Sequence, residues 1–424
     1  MILRSALLLS LAAAPVLSAD EAVVVLKAAR LVDGRSASAS RPGLLVVQGD
    51  RIRAVGAAAA VPAGARVIDL GDATLLPGLI DAHTHLTSHP ESSGYKGLGV
   101  SVPRRALYGA TYAAKTLMAG FTTVRNVGAE GFADVALRDA INEDGLPGPR
   151  MLVSGPALGI TGGHCDENKL PSEFHYRNFG VADGPWEVRA KVREVVKYGA
   201  DLVKVCASGG VLSKGDTPGA PQYTLEELTA IAEEAHKLGR KVAAHAHGTQ
   251  SIKDAIRAGI DSVEHVSLVD DEGLKLAVEK GTWLVMDIYD DDFILQEGAQ
   301  HGMLPESIAK ERAIGQKQRD SFARAVKAGA KLAFGTDAGV YPHGDNARQF
   351  AYMVKGGLTP MQAIQSATRD AAALLGWSDR VGTLEAGKLA DVIAVKGDPL
   401  AGIRALETVG FVMKGGQVVK SELP

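Results

Sequence analysis

Short apolar runs and glycine-centred breaks alternate along the first part of the chain. Residues 22–26, 43–48, 51–55 and 67–70 are rich in Val, Leu and Ile, and Gly49-Asp50, Gly56 and Gly71-Asp72 separate them. This pattern predicts strands joined by turns. From Leu76 to about Gly376 the pattern changes, and short apolar runs alternate with amphipathic helical segments. Candidate strands lie at 79–83, 122–126, 151–154, 202–206, 242–245, 262–265, 283–286 and 332–335.

Several helices carry end signals. Thr224-Leu225-Glu226-Glu227 reads as a capping box, followed by an apolar stripe of Leu225, Leu228, Ile231, Ala232, Ala235 and Leu238, with Gly239 as terminator. Pro185 opens a second helix with Val188, Val192, Val195 and Val196 inward, ending at Gly199, and Thr359-Pro360-Met361-Gln362 opens a third. After Trp377 the strand pattern returns at 391–395 and 410–414, and Gly415-Gly416 turns the chain into 417–419.

Eight strand–helix alternations predict an α/β fold, a (β/α)8 TIM barrel over 76–377. A doubly wound sheet is the alternative, but it leaves unexplained why polar residues fall at so many strand ends. The β-rich stretches 20–75 and 378–424 are read as one β-sandwich domain built from both chain ends. Residues 1–19 resemble a signal peptide: Arg4 in a short positive start, an apolar run from Ser5 to Ala14, and small residues around Ser18 and Ala19. That predicts a secreted or periplasmic protein, the alternative being a frayed helix.

Composition narrows the function classes. A net charge of −3, without a Lys/Arg cluster, gives no footprint for nucleic acid or an anionic membrane. No stretch is long and apolar enough to be a good membrane span. Two cysteines, Cys165 and Cys206, provide no disulfide framework. They could pair in an oxidising compartment, but two free or buried thiols is the preferred expectation.

The candidate chemistry begins at Leu79-Ile80-Asp81-Ala82-His83-Thr84-His85, an apolar run ending in His-x-His. On a strand, residues i and i+2 share a face, so both imidazoles can hold one metal ion. Other polar residues fall on or just after predicted strands: Lys204 within 202–206, His245 ending 242–245 with His247 two residues beyond, His265 ending 262–265, and Asp337 after 332–335. A barrel brings these points to its C-terminal mouth. Imidazole and carboxylate suit Zn²⁺ and similar ions. A lysine in an apolar strand is costly to bury charged; as a neutral amine it can add carbon dioxide and become a carbamate. By spacing alone, either His245 or His247 can be the ligand. His89, His175, His236 and His301 read as ordinary core or surface residues.

His83-x-His85, Lys204, His245, His265 and Asp337 resemble the amidohydrolase superfamily. Gly120-Phe121-Thr122-Thr123-Val124-Arg125, Gly209-Gly210-Val211, Pro342-His343-Gly344-Asp345-Asn346 and Gly387-Lys388-Leu389-Ala390-Asp391 resemble its branch of Xaa-Pro dipeptidases, ochratoxin-degrading amidohydrolases and imidazolonepropionase-like enzymes. The resemblance implies two divalent metal ions, with Zn²⁺ expected. His83, His85 and Asp337 would hold one, His245 and His265 the other, and a carboxylated Lys204 would bridge. The reaction implied is amide hydrolysis through a metal-bridging hydroxide, with Asp337 as general base and then acid. His247 would face the oxyanion, His164 the substrate carboxylate, and Tyr223 and His343 the mouth. Asn126 departs from the Asp that many relatives carry, with an effect expected on packing; His247 stands where many have Tyr.

The expected partner is a small-molecule amide or dipeptide with a free carboxylate, and the expected assembly a homo-oligomer. The rival readings are a mononuclear cyclic-amide hydrolase or deaminase, and a non-catalytic barrel serving as a scaffold.

Overall fold

β-Branched and leucine-rich runs at both chain ends form two mixed sheets around a shared apolar core. In the computed structural model, which describes residues 23–56 and 59–423, the first strands are β1 (Val23–Ala28), β2 (Arg30–Leu31), β3 (Gly43–Gln48), β4 (Arg51–Val55), β5 (Arg66–Asp69) and β6 (Ala73–Pro77). One sheet has the order β4-β3-β1-β5. The other joins β6 and β2 to three strands from the C-terminal part of the chain: β15 (Val392–Lys396), β16 (Val409–Lys414) and β17 (Gln417–Ser421). Leu26, Leu45, Ile52, Leu75, Val392 and Phe411 from both sheets are buried together. Gly415 and Gly416 both have positive φ, as the β16–β17 hairpin turn requires. The signal peptide expected at 1–19 lies outside the described residues.

Between these flanks run eight parallel strands: β7 (Leu79–Thr84), β8 (Phe121–Asn126), β9 (Arg150–Val153), β10 (Leu202–Cys206), β11 (Lys241–Ala246), β12 (Ser262–His265), β13 (Trp283–Val285) and β14 (Leu332–Ala333). They form a three-stranded sheet, β7-β8-β9, and a five-stranded sheet, β10 to β14. Between and after them lie α1 (Val102–Met118), α2 (Ala133–Glu143), α3 (Gly184–Lys197), α4 (Leu225–Lys237), α5 (Thr249–Arg257), α6 (Asp271–Lys280), α7 (Asp290–Glu297), α8 (Pro305–Ala328), α9 (Gln349–Lys355), α10 (Pro360–Gln365) and α11 (Ala371–Leu375). The strands are buried along nearly their whole length, the mark of parallel strands covered on both faces.

The capping boxes at Thr224 and Thr359 both form, with reciprocal bonds to Glu227 and Gln362. The stripe predicted on α4 is shorter than its pattern. Leu225 and Leu238, at the two ends of the helix, are 41% and 37% exposed.

The expectation of free thiols is overturned, since Cys165 and Cys206 form a disulfide with their Cα atoms 6.0 Å apart. The fold brings them together because Cys206 ends β10 and the segment after β9 runs back beside it, with Leu158 bridging Val205. Spacing in sequence holds no trace of that return.

Two features lock the parallel strands to the flanking sheets. β6 passes into β7 through Gly78 alone, and a Cβ there would lie 2.1 Å from Thr122 Oγ1 on β8. Glycine is therefore required at this close approach. Arg150 on β9 donates to both carboxylate oxygens of buried Asp391, at 3.0 and 3.1 Å, and Gly415 N donates to the same group at 2.7 Å. This gives the Gly387–Asp391 motif a physical role. Asp391→Ala would remove three charge-assisted bonds and should lower stability by about 2–3 kcal/mol, read as a drop in the thermal midpoint.

Candidate metal centre

Each strand delivers its functional side chain because an apolar run ends in a residue whose polar group needs partners. His83 and His85 come from β7 and the residue after it, Lys204 from β10, His245 from β11, His265 from β12, and Asp337 from the segment following β14. All six predicted ligands meet in one cavity of about 400 Å³, which His164 and His247 also line.

The donor atoms converge as two sets. His83, His85 and Asp337 form one, with Asp337 Oδ1 3.3 Å from His83 Nε2 and 3.1 Å from His85 Nε2. His245, His247 and His265 form the other, and His265 also converges with Asp287 and Asp337, linking the two. The His83 and His265 rings lie 5.0 Å apart, and those of His245 and His265 4.5 Å. Asp337 Oδ1 and His245 Nε2 are buried without a hydrogen-bond partner. Orphaned buried donors and acceptors of this kind are costly, and the chemistry of both sets is that of divalent-metal ligands. The arrangement fits a binuclear divalent-metal site.

Outer partners fix the ring orientations. Nδ1 of His83 bonds Glu264 at 2.9 Å, that of His85 the Gly128 carbonyl at 3.2 Å, and that of His265 both oxygens of Asp287 at 2.8 and 2.9 Å. This leaves each Nε2 aimed inward, the pattern that orients metal-binding histidines. Glu264 is itself held by Arg125 at 2.8 and 3.0 Å and by Ser262 at 2.6 Å. Asp81 accepts from His83 N, Thr336 Oγ1 and Asn346 Nδ2 at 3.1, 2.6 and 2.7 Å, tying the Asp337 segment to β7.

The backbone is strained at the same place. His265, Val266 and Asp337 have φ of 68°, 57° and 55°, a region that costs residues with a Cβ about 1–3 kcal/mol each.

Electrostatics favour the ligating forms of the second set and of Asp337, whereas His83 is pushed up: burial and Lys204 lower it, but Asp337 and Glu264 outweigh them. Burial and mutual repulsion hold the imidazoles of His245, His247 and His265 well below the usual histidine range, so they are neutral. Burial opposes ionisation of Asp337, but His83 and His85 outweigh it and hold the carboxyl well below its usual range. Burial pushes Lys204 down to about 8, with Glu264 and Asp337 opposing through space.

His164 stacks on His245 at 4.1 Å between ring centres and bonds Ser213 Oγ through Nδ1. His247 Nδ1 bonds Ser267 Oγ at 2.7 Å; that hydroxyl donates to Gln318, whose amide donates to Asp287. The chain of donors places the proton of neutral His247 on Nδ1 and leaves Nε2 as an acceptor. Donation to an oxyanion from Nε2 then requires the imidazolium.

Two expected mouth residues lie elsewhere. Tyr223 is core, its hydroxyl donating to the Ala182 carbonyl at 2.9 Å. His343 is also buried outside the cavity, stacked on Tyr112 and bonded to Ser88 O, since the turn after Pro342 packs it against the first helix. Asn126 accepts from Leu86 N and donates to Gly128 O and Asp134. His89, read as ordinary, lies on the cavity rim against Tyr108.

Glu264, Asp287 and Arg125 are the functional residues that the pattern of strand ends passes over. Glu264 and Arg125 lie inside apolar strands, the same signal that singles out Lys204. Arg105, whose guanidinium reaches the cavity wall and donates to Gly97 O, left no such signal because it sits on an ordinary helix.

A family model described as the amidohydrolase family matches residues 74–419. Ochratoxinase of Aspergillus niger is 35% identical over 95% of this chain and 88% of its own length. A solved structure of a Xaa-Pro dipeptidase with bound methionine in the active site superposes with a TM-score of 0.89 and 39% identity, covering 94% of this chain and all of that one (100%). A prolidase complexed with N-methylphosphonate-L-proline gives a TM-score of 0.86 and 31% identity over 94% of this chain and 100% of that one.

Glu264→Gln would keep the shape of the buried group and weaken its hold on His83 and Arg125. Metal affinity should fall by roughly 10–100-fold, measured by competition with a chelator. Unchanged affinity would remove Glu264 from the metal centre.

Proposed function

The chain belongs to the amidohydrolase family, and from that premise we propose that it hydrolyses the amide bond of dipeptides or N-acyl amino acids with a free α-carboxylate. The observation that carries this reading is the pair of donor sets meeting in one cavity, with a buried lysine of lowered pKa on the strand beside them. The relatives named as Xaa-Pro dipeptidase, prolidase and ochratoxinase support the substrate class. Thr84 bridges Ala338 and Leu158 bridges Val205, so the two parallel sheets meet along both edges; we read the eight strands as one closed (β/α)8 barrel.

His83, His85 and Asp337 would hold one ion and His245 and His265 the other. Lys204, as its neutral amine, adds carbon dioxide and loses a proton, becoming an anionic carbamate between the two sets. Two ions, read as Zn²⁺, would supply Lewis acidity at the carbonyl and lower the pKa of water. Asp337 accepts a proton from the attacking water and returns it to the leaving nitrogen, as base and then acid. Arg105 lines the cavity with a group suited to a carboxylate, whereas burial lowers His164 to about 4 and Ser213, which donates to Asp216, keeps its proton on Nδ1.

The address follows from the leader-like residues 1–19: we read the protein as exported to the periplasm or beyond. No helix among the described residues is long and apolar enough to cross a membrane. Exposed Phe174, Tyr176 and Trp186 support a homo-oligomer.

The deciding experiment is a hydrolysis screen of the metal-loaded protein with Xaa-Pro, Xaa-Arg and N-acyl-Phe substrates and ochratoxin A. Failure to cleave any carboxylate-bearing amide would overturn the substrate class. Asp337→Asn should cut turnover by about 10²–10⁴-fold, and full turnover in that variant would refute its role. Lys204→Ala should lower metal content from two ions per chain. One ion in the wild type, unaffected by Lys204, would favour a mononuclear cyclic-amide hydrolase or deaminase.

A further inference from the structure

Residues 154–183 join β9 to α3. Strand-to-helix connections usually run about 2–6 residues, and much longer ones generally carry function. The first part of this one hangs on the edge of β10: Leu158 N donates to Lys204 O and Cys206 N to Leu158 O, both at 2.8 Å. From Thr161 to Gly180 the chain then loops across the metal-site cavity, which His164, Asp166, Glu167, Lys169 and Asn178 line.

That loop is bonded largely to itself. Asp166 accepts from Gly162 N and Asn178 N at 3.0 and 3.1 Å, Asn178 Nδ2 donates to Cys165 O at 3.1 Å, and Asn168 Nδ2 donates to Gly163 O at 2.9 Å. Residues 171–177 are exposed. Contacts towards the outer helices are the Arg177–Glu187 pair at 2.9 Å and Phe179 against Phe132 and Tyr198. On the side of the metal centre, two adjacent residues make the attachment among the described residues. His164 bonds Gln222 through its backbone N at 2.9 Å and Ser213 through Nδ1 at 2.7 Å, and it stacks on His245. Cys165 is joined covalently to Cys206.

The disulfide is part of the cavity wall. Cys206 ends β10 two residues after Lys204, so the two side chains share a face of the strand. Both cysteines line the cavity. Cys206 is 1% exposed whereas Cys165 is half-buried, so Cys165 Sγ is the atom that a reductant meets first. Two glycines make room for the crossing. A Cβ on Gly159 would lie 2.7 Å from Cys165 Cβ, and one on Gly210 would lie 2.3 Å from His164 Cε1.

We propose that the Cys165–Cys206 bond is a thiol-sensitive latch that positions His164 and the outer wall of the cavity over the metal centre. Reduction by a dithiol opens it. A thiolate attacks Cys165 Sγ, the S–S bond breaks, and Cys206 leaves as a thiolate that takes up a proton. The second thiol then displaces Cys165, which is protonated in turn, and the reductant becomes a cyclic disulfide after passing on two electrons and two protons. His164 is then held to the barrel by hydrogen bonds alone, and the loop lifts. The lifting is independent of the reaction catalysed; its effect on turnover rests on the amide-hydrolase reading.

The test compares the metal-loaded full chain in oxidised form, after reduction with a water-soluble phosphine, and after reoxidation. The phosphine takes oxygen from water while the disulfide gains two hydrogens, and alkylation followed by mass measurement counts the thiols. Peptides within 161–180 should exchange their amide hydrogens about tenfold or more faster after reduction, with β10 and β11 unchanged. KM for a carboxylate-bearing amide should rise about tenfold, with a smaller change in kcat and none in metal content, because the wall is no longer pre-organised. Reoxidation should restore both. The double variant Cys165→Ala, Cys206→Ala should behave as the reduced protein and ignore the phosphine, which separates the bond from any action of the reagent on the metal ions.

Three results overturn the latch: a bond that the phosphine leaves intact in the folded protein, unchanged exchange within 161–180 once both thiols are free, or exchange that rises equally through β10 and β11, as for a bond that only stabilises the fold. Faster exchange at an unchanged KM overturns the positioning of His164. If no amide is cleaved in any state, the amide-hydrolase reading fails, while thiol count and exchange still decide the latch.

Discussion

The buried chain Arg125–Glu264–His83 is the constraint around which the rest of the site is arranged. It runs from β8 through β12 to β7, joining the two parallel sheets through side chains that are almost wholly buried. Burial disfavours the charged carboxylate, but Arg125 and His83 more than offset it and keep Glu264 ionised, with its pKa well below the usual range. Arg125 also donates to Ser262 Oγ and the Ala82 carbonyl, so its guanidinium is nearly spent on fixed partners. Such a network resists removal of a single member, because each leaves the others charged and unpaired. It also sets where His83 points, and His83 sets where Asp337 must come.

Asp337 arrives there only by adopting a backbone conformation that a residue with a Cβ avoids, as do His265 and Val266. The surrounding hydrogen bonds impose it: Asp337 N donates to His83 O, and Asp81, Thr336 and Asn346 brace the turn. Three of the five positive-φ residues with a Cβ among the described residues thus lie at or beside the ligands, the other two being Phe132 and His175 at helix ends. Asn346 belongs to the Pro342–Asn346 motif, whose contribution is this brace; its histidine bonds the Ser88 carbonyl and does not line the cavity.

Much of this was legible in the sequence, and for a definite reason. Parallel strands are buried on both faces, so their apolar runs are dense, and a polar residue such as Lys204 or His265 stands out within them. β10 and β12 coincide with the predicted 202–206 and 262–265. Helix starts at Thr224 and Thr359 were equally plain, since capping is local chemistry. What escaped depends on contacts between distant segments. Tyr223 and His343 sit on loops whose course is tertiary, and the Cys165–Cys206 bond depends on a returning segment.

The direct passage of β6 into β7 has a consequence for biosynthesis. The strand carrying His83 is the continuation of a strand that pairs with β15, more than 300 residues later in the chain. During translation the first ligand-bearing strand therefore emerges long before the segment that anchors its root. The nascent chain must hold that strand unpaired on one edge until β15 has been made. Completion of the metal centre is in this way tied to the arrival of β15, and a chain terminated before it lacks the partner that secures its first two histidines.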